Sequence, residues 1–253
     1  MKFFDSHSHY NDEKYDVDRK EVLKDLIENH INGAICAGYG YESSIKAVEL
    51  STINKWMYAT CGISPNDINE TVDKEIKKIE EIATNHRVVA IGEIGLDYYW
   101  NKDNKEKQKE VFIKQIEIAN KLNLPIVIHT RDAVMDTLEI LKQNKCNKKG
   151  VFHCCPLNIE LVKEALKLGY YISFSGNITF KNAKSDEVIK VVPLDKLLIE
   201  TDCPYLSPEP NRGKRNTSAN LIYIAQKIAQ VKNISVEEVS KITYENCKTL
   251  FNI

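Results

Sequence analysis

Only six histidines occur in the 253 residues, and four of them, His7, His9, His129 and His153, fall at or just past the ends of short apolar runs that read as β-strands. His7 and His9 stand two apart on one extended segment, which turns both imidazoles to the same side. Alone, any one of them would read as a hydrogen-bonded polar residue in a loop, but four at strand ends point to a shared site. Two carboxylates join the set: Glu93, in Ala90-Ile91-Gly92-Glu93, and Asp202, in Leu198-Ile199-Glu200-Thr201-Asp202. Each follows an almost purely apolar run, where an unpaired charge is costly to bury and a cation is a natural partner. Asp97 and Glu200 fit better as acids salt-bridged across the mouth of the fold. Six candidate ligands exceed the four of a single tetrahedral site, so two divalent ions are expected. Imidazole with carboxylate suits Zn²⁺ or Mn²⁺, and carboxylate with water suits Mg²⁺, so the donor set alone does not choose the metal.

Arginine is scarce, and its placement is informative. The 35 basic residues include only Arg19, Arg87, Arg131, Arg212 and Arg215. Arg131 lies two residues past His129, and Arg212 and Arg215 lie in the loop Pro208 to Asn216. Planar, bidentate donors are what phosphate recognition uses. A solvated basic loop explains Lys214 and Arg215 equally well, and the run Lys142 to Lys149 reads as a solvated face away from the site.

To bring residues 7, 9, 93, 129, 153 and 202 together, the chain needs a fold that gathers strand ends. Short apolar runs alternate with amphipathic stretches throughout, the pattern of a parallel sheet. Strands are expected at Lys2 to Asp5, Gly33 to Ala37, Met57 to Gly62, Val88 to Gly92, Pro125 to His129, Gly150 to His153, Tyr170 to Ser173 and Lys196 to Glu200. Helices are expected at Val17 to His30, Glu42 to Asn54, Val72 to Asn85, Glu106 to Leu122, Ala133 to Gln143, Ile159 to Leu168, Ser218 to Val231 and Ser235 to Phe251. Phe112, Ile116 and Ala119 set the helical period in the fourth, and Ser235 with Glu238 forms a capping box on the last. About eight strands and a length near 250 residues describe an α/β chain folded as a TIM-type (β/α)8 barrel, a single domain over 1–253. An open doubly wound sheet is the main rival. The Gly-rich phosphate loop usual after its first strand is absent, because Ser6-His7-Ser8-His9 stands there.

Composition agrees with this and narrows the partners. With 43% hydrophobic and 28% charged residues the chain is an ordinary globular one. A formal net charge of −1 makes it no general polyanion binder, so any nucleic-acid contact must be local. Seven cysteines without a CxxC pair read as free, buried thiols, and Cys154 and Cys155 would face opposite ways if Val151 to Cys155 is a strand. No apolar run reaches the roughly 20 residues of a membrane span, and no leader pattern opens the chain, so a cytoplasmic protein without an obligatory protein partner is expected.

The motifs as a set resemble the TatD-type metal-dependent deoxyribonucleases. Phe4 to His9 resembles the opening HxH motif of that family. Ile91 to Tyr99 reads IGEIGLDYY, Leu124 to Asp132 reads LPIVIHTRD, Leu197 to Leu206 reads LLIETDCPYL, and Pro210 to Asn216 reads PNRGKRN. The resemblance spans essentially the whole chain. It implies a barrel in which His7, His9, Glu93, His129, His153 and Asp202 are metal ligands, and hydrolysis of DNA phosphodiesters, often described for the family as trimming from the 3′ end. Glu93 would bridge two cations, with His7, His9 and Asp202 on one and His129 and His153 on the other. The cations would activate a water between them. Asp202 would orient that water and take its proton, Arg131 and Arg212 would offset phosphate charge, and Tyr98 and Tyr205 would offer stacking surface.

Two departures bear on substrate. Where the family has GxHP, this chain reads Gly62-Ile63-Ser64-Pro65. Where the family runs Cys-Phe-Ser-Gly after the fourth histidine, this chain reads Cys154-Cys155-Pro156-Leu157. Both touch the substrate side of the site and leave the six ligand positions intact. Hydrolysis of a carbonyl substrate, such as an amide, a lactone or an aminoacyl-tRNA ester, is the alternative reaction, because the same barrel and cluster serve it. A non-catalytic metal-binding scaffold is the third reading.

Overall fold

In the computed structural model, which describes residues 1–253, the apolar runs become eight strands: β1 (Phe3–Ser8), β2 (Ile31–Ala37), β3 (Met57–Cys61), β4 (Val88–Asp97), β5 (Ile126–Arg131), β6 (Gly150–Phe152), β7 (Tyr171–Phe174) and β8 (Leu197–Ile199). They lie side by side in chain order in one sheet, each parallel to the next. The last strand is stitched back to the first. The Asp202 N–H donates to His7 O at 3.0 Å, and Ser6 Oγ donates to Ile199 O at 3.0 Å. The buried Asp5 carboxylate accepts from the Thr201 N–H at 2.9 Å and from Ser218 Oγ at 2.6 Å. The sheet therefore curls into a nearly closed TIM-type barrel.

Nine helices follow: α1 (Arg19–Glu28), α2 (Tyr41–Ile53), α3 (Val72–Ile82), α4 (Lys105–Leu122), α5 (Val134–Gln143), α6 (Ile159–Lys167), α7 (Asp186–Val191), α8 (Leu221–Lys232) and α9 (Val236–Phe251). Their registers follow their apolar spacing. In α3, Val72, Ile76 and Ile79 are buried at i, i+4 and i+7, with the charged face outward. Ser235 caps α9 by accepting from the Glu238 N–H at 3.1 Å.

One end of the barrel is plugged. Phe4, Ile35, Val89, Val127, Val151 and Leu198, one from each of six strands, pack with Cys247, Leu250 and Phe251 of α9. Complete burial of each such side chain contributes about 1.5–3 kcal/mol before the entropy of ordering it is counted. With that end filled, the open end lies at the strand C-termini, where barrel sites form.

The structure corrects several boundaries. β4 does not stop at Gly92 but runs to Asp97, because Gly95 takes a φ of +141° and sits where a Cβ would lie 2.0 Å from His129 O. Only a glycine lets β4 hug β5 there. β5 likewise extends to Arg131. β6 ends at Phe152, and Cys154 has φ +37°, so Cys154 and Cys155 are in a turn and not on two faces of a strand. All seven cysteines are free thiols. Helix α7 was not anticipated, since six residues hold too little periodicity to read. The segment from Ser218 opens as a 3₁₀ turn, and α8 begins only at Leu221.

Candidate metal centre

The six residues singled out by type and spacing meet at the open end. His7 is the penultimate residue of β1, with His9 just beyond the strand. Glu93 lies in β4, His129 in β5, His153 directly after β6, and Asp202 three residues after β8. His7, His9, Glu93 and His153 are buried, and His129 and Asp202 partly so.

Glu93 sits between two pairs of imidazoles. Its Oε2 lies 3.5 Å from His7 Nε2 and 3.8 Å from His9 Nε2. Its Oε1 lies 3.0 Å from His129 Nδ1 and 3.5 Å from His153 Nε2. Asp202 Oδ1 joins the first pair, 3.2 Å from His9 Nε2 and 3.6 Å from His7 Nε2.

The far side of three rings is also engaged. His129 Nε2 lies 3.0 Å from Asp97 Oδ2, His9 Nδ1 lies 3.2 Å from Ala37 O, and His153 Nδ1 lies 3.4 Å from Glu200 Oε1. Asp97 and Ala37 O each accept from the outer nitrogen of their imidazole and so aim the other nitrogen into the centre, whereas Glu200 meets His153 Nδ1 as a charge contact. Asp97 therefore serves as more than an ion pair across the mouth: it orients His129, while Glu200 is the buried ion-pair partner of His153.

Charges interact strongly here. Burial resists ionisation of Glu93, yet the imidazoles of His153 and His129 outweigh it and hold the carboxyl well below the usual range. Burial works against protonating His9, His129 and His153, but the facing carboxylates prevail and raise all three above the ordinary imidazole value. His7 goes the other way: burial lowers it. A cluster of two carboxylates and four inward-facing ring nitrogens fits divalent cations. Three overlapping triads, His7 with His9 and Glu93, His7 with His153 and Asp202, and Glu93 with His129 and His153, each place their ligand atoms within 4.8 Å of one another. His7 Nδ1 is buried without a hydrogen-bond partner, and the ring is stacked on His153 with centroids 4.0 Å apart.

Helix α4 anchors the surrounding loops through two buried glutamines that its apolar periodicity did not reveal. Gln108 Oε1 accepts from the Asp97 N–H at 2.8 Å and its Nε2 donates to Asp97 O at 3.1 Å. Two turns further along the same face, Gln115 does the same for Ile63, at 2.8 and 3.0 Å. Each amide satisfies a peptide group that would otherwise be buried unpaired. Together they fix the segments that carry Asp97 and Ser64.

Above the centre opens a cavity of about 780 Å³, lined among others by Ser64, Asn66, Asp67, Trp100, Arg131, Asn177 and Tyr205. Ser64 and Arg131 thus stand where the sequence put them, on the cavity wall. Tyr205 is there too, its hydroxyl donating to Asp12 Oδ2 at 2.7 Å. Two expected substrate contacts do not. Tyr98 turns away in the turn after β4, donating to Asp136 Oδ2 at 2.7 Å with Lys105 over its ring at 4.5 Å. Arg212 lies over the Phe180 ring at 3.7 Å and is absent from the cavity wall, and Arg215 is paired with Asp18. Trp100, Asn66 and Asp67 are wall residues that spacing alone did not single out. Burial, and then the nearby charge of Glu93, push the Asp67 carboxyl up to about 6.

Fold and site together define a metal-dependent hydrolase on a β/α barrel. The model of the TatD related DNase family matches residues 4–252, and the chain belongs to that family. The metal-dependent hydrolase YabD of Bacillus subtilis is 42% identical, covering 99% of both chains, and the metal-dependent hydrolase YcfH of Escherichia coli K12 is 37% identical, covering 100% of this chain and 97% of its own. Among solved structures, the TatD homologue YJJV of Escherichia coli superimposes with a TM-score of 0.93 at 24% identity over 99% of this chain and 98% of that one. The organophosphorus hydrolase of Deinococcus radiodurans shares the fold with a TM-score of 0.69 at 14% identity, over 98% of this chain and 92% of that one. No helix is long and apolar enough to cross a membrane.

Proposed function

We propose that this hydrolase is a deoxyribonuclease that cleaves phosphodiester bonds in DNA with two divalent ions, Mg²⁺, Mn²⁺ or Zn²⁺. The observation that carries the reading is Glu93, whose two oxygens face two separate histidine pairs and so suit it to bridge two cations. His7, His9 and Asp202 would hold one and His129 and His153 the other. When bound, such a pair supplies charge to the attacked phosphoryl group and lowers the pKa of a water.

The protein's own groups do the rest. Asp202 is ionised at neutral pH: burial opposes this, and the hydrogen bond to His9 with the charges of His9 and His7 overcomes it. Its carboxylate borders the cavity, where it can orient a water and receive its proton at Oδ1 or Oδ2. Arg131, exposed on the rim, offers its guanidinium to a non-bridging phosphate oxygen. The family model, described for related DNases, supports the same substrate class.

The test sets single-stranded DNA, RNA and aminoacyl-tRNA side by side, with a phosphodiester and a carbonyl reporter, each with and without chelator. Chelator-sensitive cleavage of DNA and the phosphodiester supports the proposal. Turnover confined to carbonyl esters transfers the protein to the alternative reaction, and metal binding without turnover of any substrate leaves it a scaffold.

A further inference from the structure

We infer that Trp100 is the stacking platform for a nucleobase, holding the base of the nucleotide whose phosphate meets Arg131. The inference rests on the phosphodiesterase reading above and extends it to a specific contact.

Trp100 is 66% exposed, unusual for the largest apolar side chain, and it lies on the wall of the catalytic cavity. Its exposure is not looseness. Asp97 Oδ1 accepts from the Tyr99 N–H at 2.9 Å and from the Trp100 N–H at 3.0 Å, while Oδ2 of the same carboxylate meets His129. The backbone that carries the indole is thereby tied to a residue of the metal centre.

The side chain is buttressed as well. The Tyr99 ring stands perpendicular to the indole, with centroids 4.8 Å apart. Arg131 lies over Tyr99 at 3.8 Å and over Trp100 at 5.5 Å. Asp97 and Arg131 are paired across β4 and β5, so the turn that carries Trp100 starts beside the backbone of Arg131. No aromatic ring other than Tyr99 packs against the indole, which at 66% exposed leaves surface for a flat partner.

The charge around the cavity selects which flat partner. Asp12 and Asp67 also line the cavity, which continues into a groove with Glu13, Glu42 and Glu75 against the single Lys46. A phosphate chain is repelled there and drawn to the Arg131 side, which brings its bases past Trp100. Stacking accepts every base, because each has a π-face, and an adjacent arginine for the phosphate is the usual companion.

The experiment compares single-stranded oligonucleotides that differ only in one abasic nucleotide beside the scissile phosphate, using wild type, Trp100→Ala and Trp100→Phe. Wild type should prefer the intact strand. Trp100→Ala should raise KM for it by roughly tenfold to a hundredfold with little change in kcat, and erase the preference, whereas Trp100→Phe should stay close to wild type. In a Trp56→Phe background, where Trp100 is the one indole left, the intact strand should quench the fluorescence of chelator-treated protein and the abasic strand should not. Equal cleavage of both strands by wild type, or an unaltered KM in Trp100→Ala, overturns this inference and leaves the nuclease reading standing. Failure of wild type to bind or cleave either strand overturns both.

Discussion

Asp97 holds His129 from behind: its Oδ2 lies 3.0 Å from Nε2 of the imidazole, whose Nδ1 is in turn 3.0 Å from Glu93 Oε1. Burial of Asp97 disfavours its charge, yet the hydrogen bonds from His129 and the Trp100 N–H hold its carboxyl down to about 2, so it is an acceptor at any working pH. Asn66 Nδ2 completes the arrangement at 3.1 Å. Asp97→Asn keeps the shape but lets an amide face the imidazole, which frees the tautomer. The expected result is a loss of roughly 10–100-fold in metal affinity with an unaltered circular dichroism spectrum. Calorimetric titration that finds wild-type affinity would reduce Asp97 to a structural residue of the β4 end.

Metal-reconstituted protein should contain two divalent ions per chain by elemental analysis, and a stoichiometry fixed near one at saturation would sink the binuclear assignment. Binding should also release protons. His9, His129 and His153 have pKa values raised above the ordinary 6.5, so they hold protons that a cation must displace. Affinity therefore rises with pH through the neutral range and falls as these groups protonate. Titrations in buffers of different ionisation enthalpy measure the released protons directly, and a heat independent of buffer would contradict the assignment of these rings as ligands.

Asp202→Asn should abolish hydrolysis and leave the fold intact. The substitution removes a negative ligand and the proposed proton acceptor but preserves side-chain volume, and the Asp202 N–H to His7 O bond that helps close the barrel is a backbone contact. The expected loss in kcat is roughly 10²–10⁴-fold, the scale of a positioned acid–base group. Near-normal turnover in the purified variant would require another acceptor.

Ser64→His restores the residue usual at this position in the family. Ser64 is 3% exposed and on the cavity wall, its N–H bonded to Tyr39 O at 2.9 Å, so the backbone is fixed and only the side chain would change its reach. An imidazole there could give phosphate a charged hydrogen bond of about 1.5–3 kcal/mol. The expected outcome is a clear rise in kcat/KM on a single-stranded oligonucleotide. No change, or a fall, means that this wall position does not limit the reaction.

The residue types and strand-end spacing of His7, His9, Glu93, His129, His153 and Asp202 were legible in the chain itself, as was the eight-fold alternation that gathers them. The reason is local: a charged or imidazole side chain after an apolar run violates the hydrophobic pattern, and such violations stand out one residue at a time. Tertiary structure alone decided what faces what. The two oxygens of Glu93 divide between histidine pairs because His7 and His9 come from β1, three strands away in the sheet, while His129 and His153 come from the neighbouring β5 and the end of β6. Asp97 became a support for His129 because Gly95 lets β4 continue against β5. Tyr98 and Arg212 left the site while Trp100 entered it, since the direction of a side chain at a strand end, or in a long loop, depends on contacts such as Tyr98 with Asp136 and Arg212 with Phe180, made with residues tens of positions away. A sequence shows which residues carry chemistry; only packing fixes where each one points.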